Sequence, residues 1–95
     1  MFENPRYLTA GVDATIPPYL QLFMWGCIDR LPEERDYLQV FTLEPMGDIM
    51  QRITHSSEEP EYNMTYLLPT DSPITAKIYI IDSDAYSTML LASEY

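Results

Sequence analysis

Apolar residues in the first third of the chain recur at the spacing of an α-helix. They occupy positions i, i+3, i+4, i+7, i+8 and i+11 of one stripe: Leu20, Phe23, Met24, Cys27, Ile28 and Leu31. The dipeptide Pro17-Pro18 suits the start of a helix, and Pro32 requires the helix to end at or before the residue that precedes it. The pattern therefore predicts one amphipathic helix over about 17–31.

Shorter runs in the rest of the chain predict strands. β-Branched and aromatic residues concentrate in these runs, and turn residues such as Pro, Gly and Asp separate them. We expect strands in 6–12, 37–43, 49–55, 62–68, 76–81 and 87–92. The last run also fits a helix, but a strand is preferred because a short turn precedes it and the apolar run before that turn needs a neighbour.

These elements define the expected fold class. Sequential strands that are joined by short loops pair antiparallel. The chain is therefore predicted to be α+β, with one amphipathic helix (about 17–31) packed on a mostly antiparallel sheet of about five to six strands. Its length of 95 residues suits a single compact domain, 1–95.

Some apolar residues are left over once the helix lies on the sheet. At about 100° per residue, Leu22 points away from the buried stripe and Trp25 lies well to one side. Exposed aromatic and Met clusters are typical of interface cores. The resulting candidate interaction surface consists of Leu22, Trp25, Tyr62, Met64 and Tyr66. The alternative is that other parts of the same domain cover these side chains.

The composition adds a strong charge imbalance to this frame. Fifteen Asp and Glu face five Lys and Arg, for a net charge of -10, yet 46% of the residues are hydrophobic. A disordered acidic tail would lack that apolar content, so the chain is expected to fold and present a negative surface. Such a surface disfavours direct binding to nucleic acid or to anionic membranes and favours basic protein partners.

Most of the acidic residues fall in predicted turns rather than along the helix. The candidate acidic surface consists of Glu33, Glu34, Asp36, Glu58, Glu59, Glu61, Asp82 and Asp84. Mimicry of nucleic acid would require the loops 33–36, 58–61 and 82–84 to share one edge of the sheet. The simpler alternative is that the charge keeps a chain rich in aromatic residues in solution.

No residue pattern predicts an active site, a cofactor or a metal. We expect His55 to be a solvated loop residue rather than a general base beside Glu58 or Glu59. The only cysteine, Cys27, is expected to be a core thiol, and the turn 82–84 an ordinary hairpin turn rather than a cation site. The chain is therefore predicted to have no catalytic residues, cofactor or metal and not to be an enzyme.

Targeting signals are also absent from the sequence. The N-terminus does not read as a signal peptide, and no apolar run approaches the roughly 20 residues that span a bilayer. A single cysteine allows no intrachain disulfide, which fits a reducing compartment. These observations predict a soluble cytoplasmic protein.

Several segments together resemble one known family. They are 6–9 (Arg-Tyr-Leu-Thr), 17–25, 36–41 (Asp-Tyr-Leu-Gln-Val-Phe), 74–78 and 87–92. The chain resembles the small Firmicute domain-of-unknown-function family 960, first noted in staphylococci. The resemblance implies a single cytoplasmic domain that is sometimes carried on mobile elements. It transfers no catalytic residues.

Three classes of function are consistent with these observations. The first is a non-enzymatic protein-interaction module whose partner is either another protein or a second copy of the chain. An alternative is an acidic decoy that inhibits a nucleic-acid-binding protein associated with mobile elements. A remote alternative is a small-molecule enzyme with a pocket between helix and sheet, although no nucleophile–base pair supports it.

Overall fold

Six strands and two α-helices form the protein in the computed structural model, which describes all residues 1–95. The helices are α1 (Ala10–Thr15) and α2 (Pro18–Asp29), and a 3₁₀ turn (Ala92–Glu94) lies near the C-terminus. The strands are β1 (Arg6–Leu8), β2 (Leu38–Pro45), β3 (Met50–Glu58), β4 (Glu61–Pro69), β5 (Ala76–Asp82) and β6 (Ser87–Leu91).

All six strands belong to one sheet, in the order β1-β6-β5-β2-β3-β4. Every neighbouring pair is antiparallel except β1 and β6, which are parallel. The predicted α+β class with a mostly antiparallel sheet is confirmed. The edges of the sheet are β1 and β4, because each of these strands has a neighbour on one side only.

Both helices cover the same face of the sheet, which we call the inner face. The predicted apolar stripe of α2 meets it, with four of its side chains fully buried: Leu20, Met24, Cys27 and Ile28. From the sheet, the core receives Phe41, Leu43, Ile53, Ile78, Ile80 and Met89. Burial of each such side chain contributes about 1.5–3 kcal/mol to folding.

No helix of the protein has the length and hydropathy needed to cross a bilayer.

The strand expected over 6–12 is wrong beyond Leu8, where the chain turns into α1. Thr9 begins this helix because its backbone is extended and its Oγ1 accepts the N–H of Val12 at 3.2 Å. Val12 and Ile16 then enter the core from the helix. A helix of six residues is too short to show a periodic pattern.

The third strand is displaced from its expected range, 49–55. Ile49 lies before β3 and is 69% exposed, whereas the supposed polar loop after residue 55 continues the strand to Glu58. The pairing of β3 with β4 runs without interruption to Glu58 opposite Glu61, and a two-residue turn with a cis Glu59–Pro60 bond joins them. The predicted strand ended too early because residues 56–58 are polar. Their place in the strand follows from pairing with residues 61–63 of β4, further along the chain.

The C-terminal run 87–92 is a strand, as preferred from the sequence. β6 lies between β5 and β1, so the apolar β5 gains the neighbour that it required. The helix α2 begins at Pro18 within its expected range and ends at Asp29, two residues before the expected limit. The last turn there closes on the N–H of Arg30, which reaches the carbonyl oxygens of Gly26 and Cys27.

Candidate functional site

The three acidic loops meet at one end of the sheet. β2 begins where β5 ends, with Leu38 opposite Ile81, and the same end of the sheet holds the turn between β3 and β4. Antiparallel pairing therefore gathers loops that are far apart in sequence. We call this region the acidic end, and it contains Glu33, Glu34, Asp36, Glu58, Glu59, Glu61, Asp82 and Asp84.

The eight carboxylates of the acidic end differ in exposure. Asp82 is buried, where its Oδ1 accepts the side-chain amide of Asn4 at 2.7 Å and the N–H of Asp84 at 3.1 Å. Asp36 is half-buried. The other six side chains are exposed and form the charged surface: Glu33, Glu34, Glu58, Glu59, Glu61 and Asp84.

Asp36 ties two of the acidic loops together. Its Oδ2 accepts the N–H of Glu59 at 3.0 Å, and its Oδ1 accepts the N–H of Leu38 at 3.1 Å. Desolvation alone would raise the pKa of Asp36, but these backbone N–H groups outweigh it and lower the pKa below its ordinary value. The carboxylate is therefore ionised at neutral pH and holds loop 33–36 against loop 58–61.

A buried polar pair on the inner face supports this junction from below. Gln39 donates its amide Nε2 to the backbone oxygen of Asp36 at 2.8 Å, and its Oε1 lies 2.7 Å from His55 Nε2. Since that amide oxygen can only accept, the proton of the neutral imidazole is on Nε2. The chain of contacts from His55 through Gln39 to Asp36 fixes the position of the loop.

His55 is not the solvated loop residue that the sequence suggested. Its side chain is fully buried, its ring stacks on Phe41 at 4.2 Å between centroids, and Tyr62 lies 4.9 Å away at a tilt. Burial lowers its pKa from 6.5 to about 4, so the imidazole is neutral at pH 7. Its Nδ1 has no hydrogen-bond partner.

The sequence prediction missed the Gln39–His55 pair, although a signal for it existed. Gln39 and Phe41 share a period-two register in β2, as Ile53 and His55 do in β3. A polar residue in the apolar register of each of two neighbouring strands indicates that the two side chains satisfy each other.

The cations of the chain do not neutralise the acidic end. Arg35 lies within it but points inward, donating to the backbone oxygens of Pro32 (2.8 Å), Leu31 (2.8 Å) and Ile28 (3.3 Å), where it closes the end of α2. The ion pairs of the protein are Arg6–Asp29, Arg52–Glu44 and the N-terminal amine with Glu3. None involves the eight carboxylates of the acidic end.

An open groove of about 570 Å³ runs into the acidic end. Its lining combines apolar and polar side chains with charges of both signs: Met1, Tyr37, Leu38, Val40 and Ser57 with Arg35, Asp36, Glu58 and Glu59. No group of three or more His, Cys, Asp or Glu side chains is arranged to hold a metal ion. Three carboxylates line the groove against one guanidinium, which is engaged with backbone oxygens, so the groove suits a Lys or Arg side chain with an aliphatic stem and a charged head.

Comparison with known proteins places the chain in a family. A family model described as "Staphylococcal protein of unknown function (DUF960)" matches residues 5–94. The chain belongs to the DUF960 family. A structure described as "Crystal structure of the protein of unknown function from Enterococcus faecalis" superposes on the DUF960 chain with a TM-score of 0.82 and 24% identity, covering 97% of this chain and 91% of the other. That likeness shows the fold alone, and no curated protein matches the chain.

The five residues of the candidate interaction surface of the DUF960 chain lie in three places. Leu22 is 73% exposed, on the side of α2 opposite to the core. Trp25 is half-buried under the guanidinium of Arg6, 4.8 Å from the ring centroid, beside edge strand β1. The remaining three, Tyr62, Met64 and Tyr66, lie on β4 at the opposite edge of the sheet, so only they are neighbours.

The single thiol of the DUF960 chain lies in the core, as predicted. Cys27 is buried between α2 and the sheet, and this burial raises the pKa of its thiol even though Arg30 Nη2 lies 3.5 Å from Sγ. Burial also raises the pKa of Tyr62. A reactive cysteine requires exposure and a lowered pKa, and Cys27 has neither.

Proposed function

We propose that the DUF960 chain is a non-enzymatic interaction module of the cytoplasm whose acidic end binds a basic surface of a partner protein. The observation that carries this proposal is the convergence of six exposed carboxylates, none of them in an ion pair, on loops that the fold brings to one end. Unpaired like charges held close together create a field that attracts a positively charged surface.

The groove adds shape to this charge. A partner that inserts an Arg or Lys side chain would cover apolar wall atoms of Leu38 and Val40 and place its charge between the carboxylates of Glu58 and Glu59. A partner that contacts both the apolar wall and the carboxylates is best matched by a basic residue next to an apolar one. A purely polar polycation would satisfy only the rim.

The only histidine and the only cysteine of the chain support a function without catalysis. His55 is buried and neutral, and its Nε2 is engaged with Gln39. Cys27 is buried with a raised pKa. Neither offers an exposed base or nucleophile to a substrate.

The same convergence favours one alternative. If the partner's basic surface is a nucleic-acid-binding groove, the acidic end acts as a decoy that occupies it. This alternative differs from the main proposal only in what else the partner's surface binds, so a competition experiment separates them.

A pair of charge variants tests the proposal. The acidic-end variant carries Glu34→Gln, Glu58→Gln and Glu59→Gln; the opposite-end variant carries Asp13→Asn, Asp48→Asn and Asp71→Asn, which change the net charge equally in α1 and in loops at the far end. Immobilised wild-type and variant chains are exposed to host lysate at low salt, and captured proteins are eluted with a salt gradient. We expect the wild type and the opposite-end variant to retain the same basic protein and the acidic-end variant to lose it.

Two results contradict the proposal. One is capture of the same proteins by the acidic-end variant at the same salt, and the other is the absence of any basic protein from the wild-type eluate. Duplex DNA added to the captured complex then distinguishes the alternatives. Release by DNA indicates a decoy, whereas a complex that DNA leaves intact indicates a partner surface with another role.

A further inference from the structure

Strand β4 leaves one long side of the sheet without a partner. β4 (Glu61–Pro69) is the last strand in the order and pairs only with β3. No backbone hydrogen bond outside that pairing involves any of its residues. Because alternate residues of an edge strand direct N–H and C=O groups outward, β4 presents a row of unpaired donors and acceptors that another extended strand can satisfy.

Apart from Pro69 at its last position, β4 also lacks the features that usually protect an edge. Natural edge strands are short, carry Lys or Pro, or contain a bulge. The opposite edge, β1, is protected in this way, because it has three residues and includes Arg6 directly after Pro5. β4 has nine residues in uninterrupted register with β3, and no charged side chain occurs from Tyr62 to Thr70.

We propose that β4 pairs antiparallel with β4 of a second copy, about a two-fold axis at Thr65, to form one continuous twelve-stranded sheet. In this register Tyr62 faces Leu68 of the second copy and Met64 faces Tyr66, all on the inner face. On the outer face, Asn63 faces Leu67 and Thr65 faces its own copy. Aromatic and aliphatic side chains so placed across neighbouring strands stabilise the pairing.

The distribution of charge and apolar surface identifies a second copy as the occupant. Met64 and Leu67 are 44% and 47% exposed on an edge without charges, so a basic partner gains nothing there. Glu61 marks the acidic end of β4 and Pro69 its other end. Antiparallel pairing therefore directs the acidic ends of two copies away from each other, which allows two chains of net charge -10 to associate.

Side chains of α2 and β3 pack against the inward-facing side chains of β4. Phe23 of α2 lies against Tyr66 with ring centroids 5.1 Å apart, and His55 lies behind Tyr62. The inward side chains of β4 are thus already held in place on the chain that presents them. Little conformational entropy remains to be lost when a second strand is added.

Molar mass measured by light scattering and sedimentation, over a range of concentrations, tests the proposal on the full chain. We expect the wild type to reach twice its monomer mass of 11.1 kDa. Thr65→Lys places two like charges opposite each other on the axis and should raise the dimer dissociation constant by about tenfold or more. Thr75→Lys makes the same change at an exposed position in the loop before β5, and should leave the constant unchanged.

Hydrogen exchange supplies a second readout. We expect the outward amides of β4 to be protected in the wild type and to exchange faster in Thr65→Lys.

A wild type that stays monomeric at every concentration overturns the proposal. A dimer whose mass and β4 exchange are the same in Thr65→Lys also overturns it. So does a monomer in which Thr65→Lys abolishes capture of another protein, because the strand then serves a different partner. The acidic-end variant should retain the dimer, so this proposal and the proposed function fail independently.

Discussion

Buried polar side chains of the inner face are satisfied by backbone groups and by each other. Gln51 accepts the N–H of Ile74 at 2.7 Å and donates to the backbone oxygens of Ile74 and Glu44, both at 3.0 Å. It thereby fixes the loop before β5 to β2. His55 differs, because one of its ring nitrogens has a partner and the other has none. Protonation of the imidazole would therefore place a charge and an N–H without a partner in the core, which is costly.

His55 should make the stability of the fold depend on pH. Its pKa is about 4 in the native state and about 6.5 in the unfolded chain, so between these values the unfolded state binds more protons. Stability contributed by the neutral imidazole is therefore present above pH 6.5 and is lost as the pH falls toward 4. We expect a loss of about 2–3 kcal/mol between pH 7 and pH 4.5, measured as free energy of unfolding in urea.

A His55→Gln variant isolates this contribution from the many carboxylates. Glutamine does not titrate and retains an amide donor near Gln39, so the variant is expected to be less stable at pH 7 but to lack this pH-dependent loss. The quantity to compare is the change in free energy between the two pH values. If it is the same in both proteins, the imidazole is not buried in its neutral form.

At the scale of elements, the sequence predicts the long periodic segments well. α2 and the strands with apolar alternation were found because each buries one face over many residues, and that periodicity is local information. Two elements escaped for opposite reasons. α1 has only six residues and starts at the cap formed by Thr9, while the end of β3 is polar and is held by its pairing with β4. Neither cause is visible in hydropathy.

The candidate site was predictable in its residues but not in its geometry. The acidic clusters can be read from the sequence, whereas their position at one end of the sheet depends on which strands pair. β2 pairs with β5 and β3, both of which follow it in the sequence, and not with β1, which precedes it. Such long-range pairing depends on the whole core. The divided interaction surface has the same origin, because Trp25 and Tyr66 lie toward opposite edges of one sheet.

The cap of α1 offers a test at this scale. Thr9 Oγ1 accepts the N–H of Val12 and donates to Glu94 Oε1 at 2.7 Å, so one hydroxyl joins the helix start to the C-terminal turn. Thr9→Ala should lower the free energy of unfolding by about 1 kcal/mol, and Thr9→Ser, which retains the hydroxyl, by much less. Urea denaturation measures both. Equal losses would show that the methyl group, and not the cap, stabilises the segment.

On the scale of the whole molecule, the fold concentrates charge instead of dispersing it. Arg52 pairs with Glu44 and Arg6 with Asp29, while Arg35 is turned toward the carbonyl oxygens that end α2. The exposed carboxylates of the acidic end are left to repel one another. Self-repulsion of this kind lowers the stability of the native state. A charge arrangement that only served solubility would not need to bring the three loops together.

The acidic-end variant should therefore be more stable than the wild type while losing its partner. Removal of three of the repelling charges is expected to raise the free energy of unfolding by about 1 kcal/mol at low salt, since charges about 10 Å apart in water interact by a few tenths of a kcal/mol. The opposite-end variant removes as much charge from scattered sites and should change stability less. Added salt screens the repulsion, so the gain should shrink toward zero near about 1 M. A gain that is equal in both variants, or that salt does not reduce, would mean that the carboxylates are too far apart to act as one surface, and the proposed binding end would lose its electrostatic basis.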